Sequence, residues 1–176
     1  MEKSHTLKKF EIDQVVVLAI SKIQKWTERE IRSMSFKNGK PQCLLLGDDF
    51  YRVGNHSIKK IHDTCWRLTD DDKNNDFMFR RAAIGYSLAK QSHVFFLADG
   101  FKEADQQYSN HYNDYMLFKS RLENALKRGD EWDILRYAAR KKQAQIHYFT
   151  ASARLAKCMR LLKYYKLLQN GGVENK

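Results

Sequence analysis

Apolar positions recur at spacings of three and four along most of the chain, the pattern of helices that bury one face. The first such run spans Phe10 to Met34, with Ile12, Val16, Ala19, Ile23 and Trp26 on its apolar side. A second run opens at Ser57 as an N-cap and carries Ile58, Ile61, Cys65 and Leu68. The acidic run Asp70-Asp71-Asp72, followed by Lys73-Asn74-Asn75, predicts a linker, after which Asp76 caps a third helix over Phe77–Ala98. That helix is apolar on two adjacent faces, one with Ile84, Leu88 and Phe95, the other with Met78, Ala82, Ala89 and Phe96. Such a wide arc is expected at the centre of a bundle. Gly100 is the predicted stop.

A fourth helix is predicted from Lys102 to Arg128, burying Ala104, Tyr108, Tyr115, Phe118, Leu122 and Ala125 and ending at Gly129. Asp130 then caps a last helix that meets no breaker before Asn170-Gly171-Gly172. Unbroken from Glu131 to Gln169, it would measure on the order of 55–60 Å; Thr150-Ala151-Ser152 is the one candidate break.

Residues 36–55 depart from helical spacing. Asn38-Gly39 and Gly47-Asp48-Asp49 are turn signals, and they separate the short apolar runs Cys43–Leu46 and Phe50–Val53. A small β-hairpin is expected there, packed under the helices. With one proline and eight glycines in 176 residues, breakers are scarce. The sequence therefore predicts a mainly α, single domain over residues 1–176: about five helices in a bundle, a long C-terminal helix, and a possible hairpin near 36–55.

Composition supplies a core, since 43% of residues are hydrophobic, and the formal net charge of +11 directs attention to polyanionic partners. Cys43, Cys65 and Cys158 are scattered and odd in number, neither a disulfide framework nor a zinc site. The apolar stretch Val15–Ile20 is too short for a signal peptide or a membrane span. A cytoplasmic protein without a membrane partner is expected.

The charge is unevenly placed. Residues 131–176 hold ten Lys/Arg against three Asp/Glu, a net +7 of the total +11. On a helix, Arg136, Arg140, Gln143, His147 and Arg154 fall on one narrow stripe. Guanidinium groups so aligned can follow a phosphate backbone. Lys142, Lys157 and Arg160 would widen the footprint, and Tyr148, Phe149, Tyr164 and Tyr165 are interleaved either as core or as stacking surfaces. The plain alternative is a solvated face of an ordinary helix.

Arg140-Lys141-Lys142-Gln143-Ala144-Gln145-Ile146-His147 resembles the catalytic motif of the HEPN ribonucleases, an Arg followed by four to six residues and a His. The resemblance covers these eight residues, and the family's motif sits near a helix start, whereas this one falls mid-helix. It implies that Arg140 stabilises phosphorane charge, that His147 acts as acid or base for a ribose 2′-OH, and that two motifs face each other across a dimer. His111 and Asp114, one turn apart, are at most half of a metal site, and His56 and His62 flank the second predicted helix start. No Walker, GxGxxG, GxSxG or HExxH motif is present, so no cofactor, metal or catalytic residue is assigned.

The leading expectation is a non-enzymatic, nucleic-acid-binding accessory or regulatory protein. It would hold DNA or RNA by the backbone through Arg136, Arg140, Lys142, His147, Arg154, Lys157 and Arg160 of the last helix. The alternatives are a protein-interaction module that docks an acidic partner or self-associates as a homodimer or larger assembly, and a HEPN-like metal-independent ribonuclease.

Overall fold

The computed structural model describes residues 16–19 as backbone, and residues 26–70 and 73–167 with their side chains. Its elements in order are β1 (Val16–Ala19), α1 (Glu28–Met34), β2 (Phe36–Lys37), β3 (Lys40–Pro41), β4 (Cys43–Gly47), β5 (Phe50–Val53), β6 (His56–His62), β7 (Cys65–Asp70), β8 (Lys73–Phe77), α2 (Arg80–Gln91), α3 (Phe95–Arg128) and α4 (Glu131–Tyr164). The fold is mixed α/β. The expected mainly α bundle of about five helices is wrong: the described residues hold four helices, a six-stranded sheet ordered β1-β4-β5-β6-β7-β8, and a separate β2–β3 ribbon.

The sheet is an antiparallel meander from β4 to β8, with β1 added in parallel beside β4. Its alternation explains why the second predicted helix does not exist. Ile58, Trp66 and Leu68 are buried while Ile61 is 46% exposed, so the apolar period is two. Ile58 pairs with Leu68 across β6 and β7, and Asp63-Thr64 makes the turn between them without glycine or proline. Asp76 caps no helix; it lies in β8 and receives both Nε and Nη2 of Arg67 from β7, at 2.8 and 2.9 Å. Around the first helix prediction, Val16–Ala19 is a strand, helix survives only as Glu28–Met34, and the remainder lies outside the described residues. Thr27 and Glu30 close a reciprocal capping box at the start of α1.

The expected hairpin near 36–55 is the beginning of this larger sheet. Asn38 (φ 53°) and Gly39 (φ 74°) both take positive φ, the requirement of a tight two-residue turn, and connect β2 to β3.

The predicted third helix divides. α2 ends at Gln91, His93 takes φ 59°, and α3 starts at Phe95 and runs through Gly100. Gly100 stops nothing: a Cβ there would meet Cys158 Sγ at 3.1 Å, so the missing side chain admits α4. The central position expected for this segment does hold for α2, in which every residue from Ala82 to Ala89 is buried. One side of α2 covers the sheet face made by Cys43, Val53, Ile58, Trp66, Leu68 and Phe77; behind it lie Leu97, Phe101, Leu155, Cys158 and Leu162 of α3 and α4. Gly85 makes the crossing possible, because a Cβ would fall 2.4 Å from the Phe101 ring.

α3 ends at Gly129 in the left-handed conformation (φ 69°), and Asp130 caps α4 by accepting the Asp133 N–H at 3.1 Å. α4 continues as one helix through Thr150-Ala151-Ser152 to Tyr164; the predicted stop at Asn170-Gly171-Gly172 lies outside the described residues. Beyond Asp105 only Ala125 of α3 is buried, so the distal α3–α4 hairpin is covered by its own two helices. It stands off the sheet–α2 body for roughly 35 Å. No helix of the described residues is long and apolar enough to cross a membrane.

Candidate functional site

Because α3 and α4 run antiparallel, the order of residues along one is reversed along the other, and residues far apart in sequence meet across the seam. Ala144, Ala151, Leu155, Cys158 and Leu162 define the buried side of α4. At about 100° per residue, Arg136, Arg140, Gln143, His147 and Arg154 lie along one edge of that side, while Lys142 and Arg160 lie on the solvent face turned away from α3. The seven residues anticipated from the sequence are thus divided between two surfaces, with Lys157 between them.

The edge carries an open cleft of about 310 Å³, lined by Arg140, Gln143, Ala144 and His147 of α4 and by His111, Asp114 and Phe118 of α3. The His111 and His147 rings stack at 4.9 Å with 29° between their planes. Asp114 Oδ2 approaches His111 Nδ1 at 4.0 Å, a long contact. The Arg140 guanidinium lies over the Phe118 ring, 5.7 Å from its centre. Among the described residues Arg140 has no carboxylate within salt-bridge distance, so its N–H groups remain available to an anion. Arg154 is occupied: Nη1 donates to Gln107 Oε1 at 2.6 Å, and Nη2 stands 3.8 Å from Glu103 Oε2. Arg136, an exposed residue, sits over Tyr137 at 5.8 Å one turn from Arg140.

His111 and Asp114 were legible only as an isolated one-turn pair; the antiparallel register adds Arg140 and His147 to them. No group of three or more His, Cys, Asp or Glu is placed to hold a metal among the described residues.

The opposite edge of the hairpin is a half-buried tyrosine cluster. Tyr148 packs at 5.4–5.7 Å against Tyr108, Tyr112 and Tyr115, and Tyr108 also meets Phe79 edge-on at 4.7 Å. Burial pushes the phenols of Tyr108 and Tyr148 above the ordinary tyrosine range. These rings hold the two helices together, the core alternative for the aromatics. Tyr164 is 77% exposed at the end of α4.

Two buried polar groups serve the fold. Ser87 Oγ lies 2.8 Å from His56 Nδ1, and His56 Nε2 lies 3.5 Å from Asp70 Oδ2, which superficially resembles a catalytic triad. Ser87 is wholly buried in mid-helix and also receives Gln91 Nε2 at 2.9 Å, so the chain pins α2 to β6 and β7. Asp105 is likewise buried, and its two oxygens accept the Met78 and Phe79 N–H groups at 2.8 and 3.0 Å. It caps α2 from outside, since Phe79 at the N-cap has no side chain able to do so. Burial raises the Asp105 carboxyl above the ordinary aspartate range, and the two N–H groups and Arg81 pull it back. The Cys43 thiol, buried under α2, is pushed up to about 12 and is inert as a nucleophile.

No protein-family model, no curated protein and no solved structure matches the chain.

Proposed function

We propose that the protein binds the phosphodiester backbone of nucleic acid along the cleft edge of the α3–α4 hairpin, with Arg140 as the principal contact and Arg136 beside it. The observation that carries this reading is the joint placement of Arg140, Gln143, His147 and His111 on one open cleft, with Arg140 over the Phe118 ring at 5.7 Å and, among the described residues, without a carboxylate partner. The excess of positive charge in the C-terminal region favours the same partner.

The cleft suits binding better than strand cleavage. General acid–base attack on a phosphodiester needs one group at the incoming oxygen and another at the leaving oxygen. The His111 and His147 rings are stacked on each other at 4.9 Å rather than set apart across the cleft. The contacts are to backbone, so affinity is salt-dependent and weakly selective for sequence.

The test is fluorescence anisotropy with labelled single-stranded RNA, single-stranded DNA and duplex DNA at two salt concentrations. The intact chain is compared with the Arg136→Ala/Arg140→Ala variant. Losing two phosphate contacts should weaken binding about tenfold or more at low salt and reduce the log–log salt slope by roughly two. An unchanged slope, or no binding of any of the three at low salt, would overturn the proposal. RNA recovered as shorter fragments, with loss of cutting in His147→Ala, would replace it with the ribonuclease reading.

A further inference from the structure

The solvent face of α4 is the surface that neither the fold nor the cleft uses. Trp132, Leu135, Ile146 and Phe149 are 85%, 67%, 56% and 56% exposed, an unusual load for one helix face. Their positions are not scattered. Trp132, Leu135, Ala139, Lys142, Ile146, Phe149, Ala153 and Ala156 follow one another at alternating spacings of three and four, exposed on the side turned away from α3 as far as Ala153 and half-buried at Ala156. This is the spacing of a coiled-coil seam, sustained for more than three heptads on a helix that already has one partner behind it.

The order of sizes along the seam says what covers it. Trp132 and Leu135 occupy the N-terminal end of the seam, and Ala153 and Ala156 its C-terminal end. If a second copy of the helix lies antiparallel, with the two-fold axis at the level of Ala144, Trp132 falls opposite Ala156 and Leu135 opposite Ala153. Phe149 falls opposite Ala139, and Lys142 extends its stem along Ile146. Three of the four distinct layers then join a large side chain to a small one, a condition for close packing. A parallel pair would instead stack Trp132 on Trp132 and Lys142 on Lys142.

The opposed helix dipoles of an antiparallel pair favour the same arrangement. The four large side chains expose on the order of 500 Å² per copy. A symmetric pair therefore withdraws about 1,000 Å² before flanking residues are counted, the lower bound of a specific interface.

We infer that the chain forms a two-fold symmetric homodimer through the outer face of α4, antiparallel and centred at the level of Ala144. The cleft with Arg140 and His147 lies on a different side of α4, so the inference is independent of nucleic-acid binding.

Sedimentation velocity over a concentration series of the full chain tests it. A dimer of twice the 20.8 kDa chain mass is expected at tens of micromolar. Leu135→Glu/Phe149→Glu, both exposed and so tolerated by the fold, should weaken association roughly a hundredfold or more. Register is read by size exchange. Leu135→Ala alone and Ala153→Leu alone should each weaken the dimer about three- to tenfold, and the two together in one chain should restore it. A monomer at every concentration would overturn the inference. So would a dimer indifferent to Leu135→Glu/Phe149→Glu, or one in which the double exchange fails to restore what the single changes lose.

Discussion

Gly85→Ala tests how the hairpin is fastened to the body. In an exposed helix this change would be favourable by about 0.8–1 kcal/mol, because alanine loses less backbone entropy than glycine. At position 85 the added Cβ falls 2.4, 2.6 and 2.7 Å from three carbons of the Phe101 ring, far inside van der Waals contact. The ring cannot retreat, since Phe101 is fully buried beside Leu97, Leu155 and Leu162. α2 and α3 must therefore separate by about an ångström, and overpacking of this kind costs about 1–3 kcal/mol beyond the propensity gain. The net expectation is a loss of about 1–3 kcal/mol, a fall of roughly 2–12 °C in melting temperature for a domain of this size. Urea unfolding followed by far-ultraviolet circular dichroism measures it. A double-mutant cycle isolates the contact: Phe101→Leu costs stability alone through a cavity, but beside Gly85→Ala it relieves the clash, so the two losses should fall short of additivity by about 1 kcal/mol. A Gly85→Ala protein as stable as the parent, or strict additivity in the cycle, would refute the close crossing of α2 over α3.

Asp105→Ala should lose about 2–4 kcal/mol, because two N–H groups at the start of α2 are left buried without acceptors; guanidinium unfolding would show it. The Asp105 carboxyl titrates above its unfolded value, so the native state holds the proton more tightly. That contribution is fully present below the ordinary aspartate value and declines as pH rises through the raised one. Thermal melts across this window should therefore show a downward component in the parent that Asp105→Asn lacks. Asp114→Asn removes the carboxylate that lines the cleft and should tighten nucleic-acid binding about two- to fivefold at low salt, read by anisotropy; weaker binding would show that the carboxylate positions His111. Gly129→Ala forces an alanine into the left-handed cap and should cost about 1 kcal/mol, measured by urea titration.

The helical hairpin was largely legible in the sequence, and the sheet was not. Asn38-Gly39 and Gly47-Asp48-Asp49 announced turns by residue type, but Asp63-Thr64 turns the chain with ordinary polar residues. A scarcity of glycine and proline is therefore no guarantee of helix. The run Ile58, Ile61, Cys65, Leu68 satisfied helical spacing by coincidence. The truer signal was Trp66 and Leu68, two apart and flanked by Arg67 and Thr69, and it is too short to compete in a window of helical length. Gly100 and Gly85 show that glycine also marks close approach, which only the partner's position reveals. The cleft was half legible: the Arg140–His147 stripe follows from one helix alone, but its junction with His111 and Asp114 depends on the register between α3 and α4. Pairing of that kind is set by the length of the Gly129 turn and the tyrosine seam together, and neither helix contains it.

The distal hairpin also has a mechanical consequence. Its root is clamped by Phe101, Leu155 and Leu162, while its tip at Gly129 touches nothing else among the described residues. A stiff rod anchored at one end converts angle into distance: a rotation of about 10° at the root carries a tip roughly 35 Å away through about 6 Å. Whatever loosens the Gly85–Phe101 joint is therefore magnified at the far end, so that a fluorophore placed near Gly129 would register strain in the body as displacement in solution.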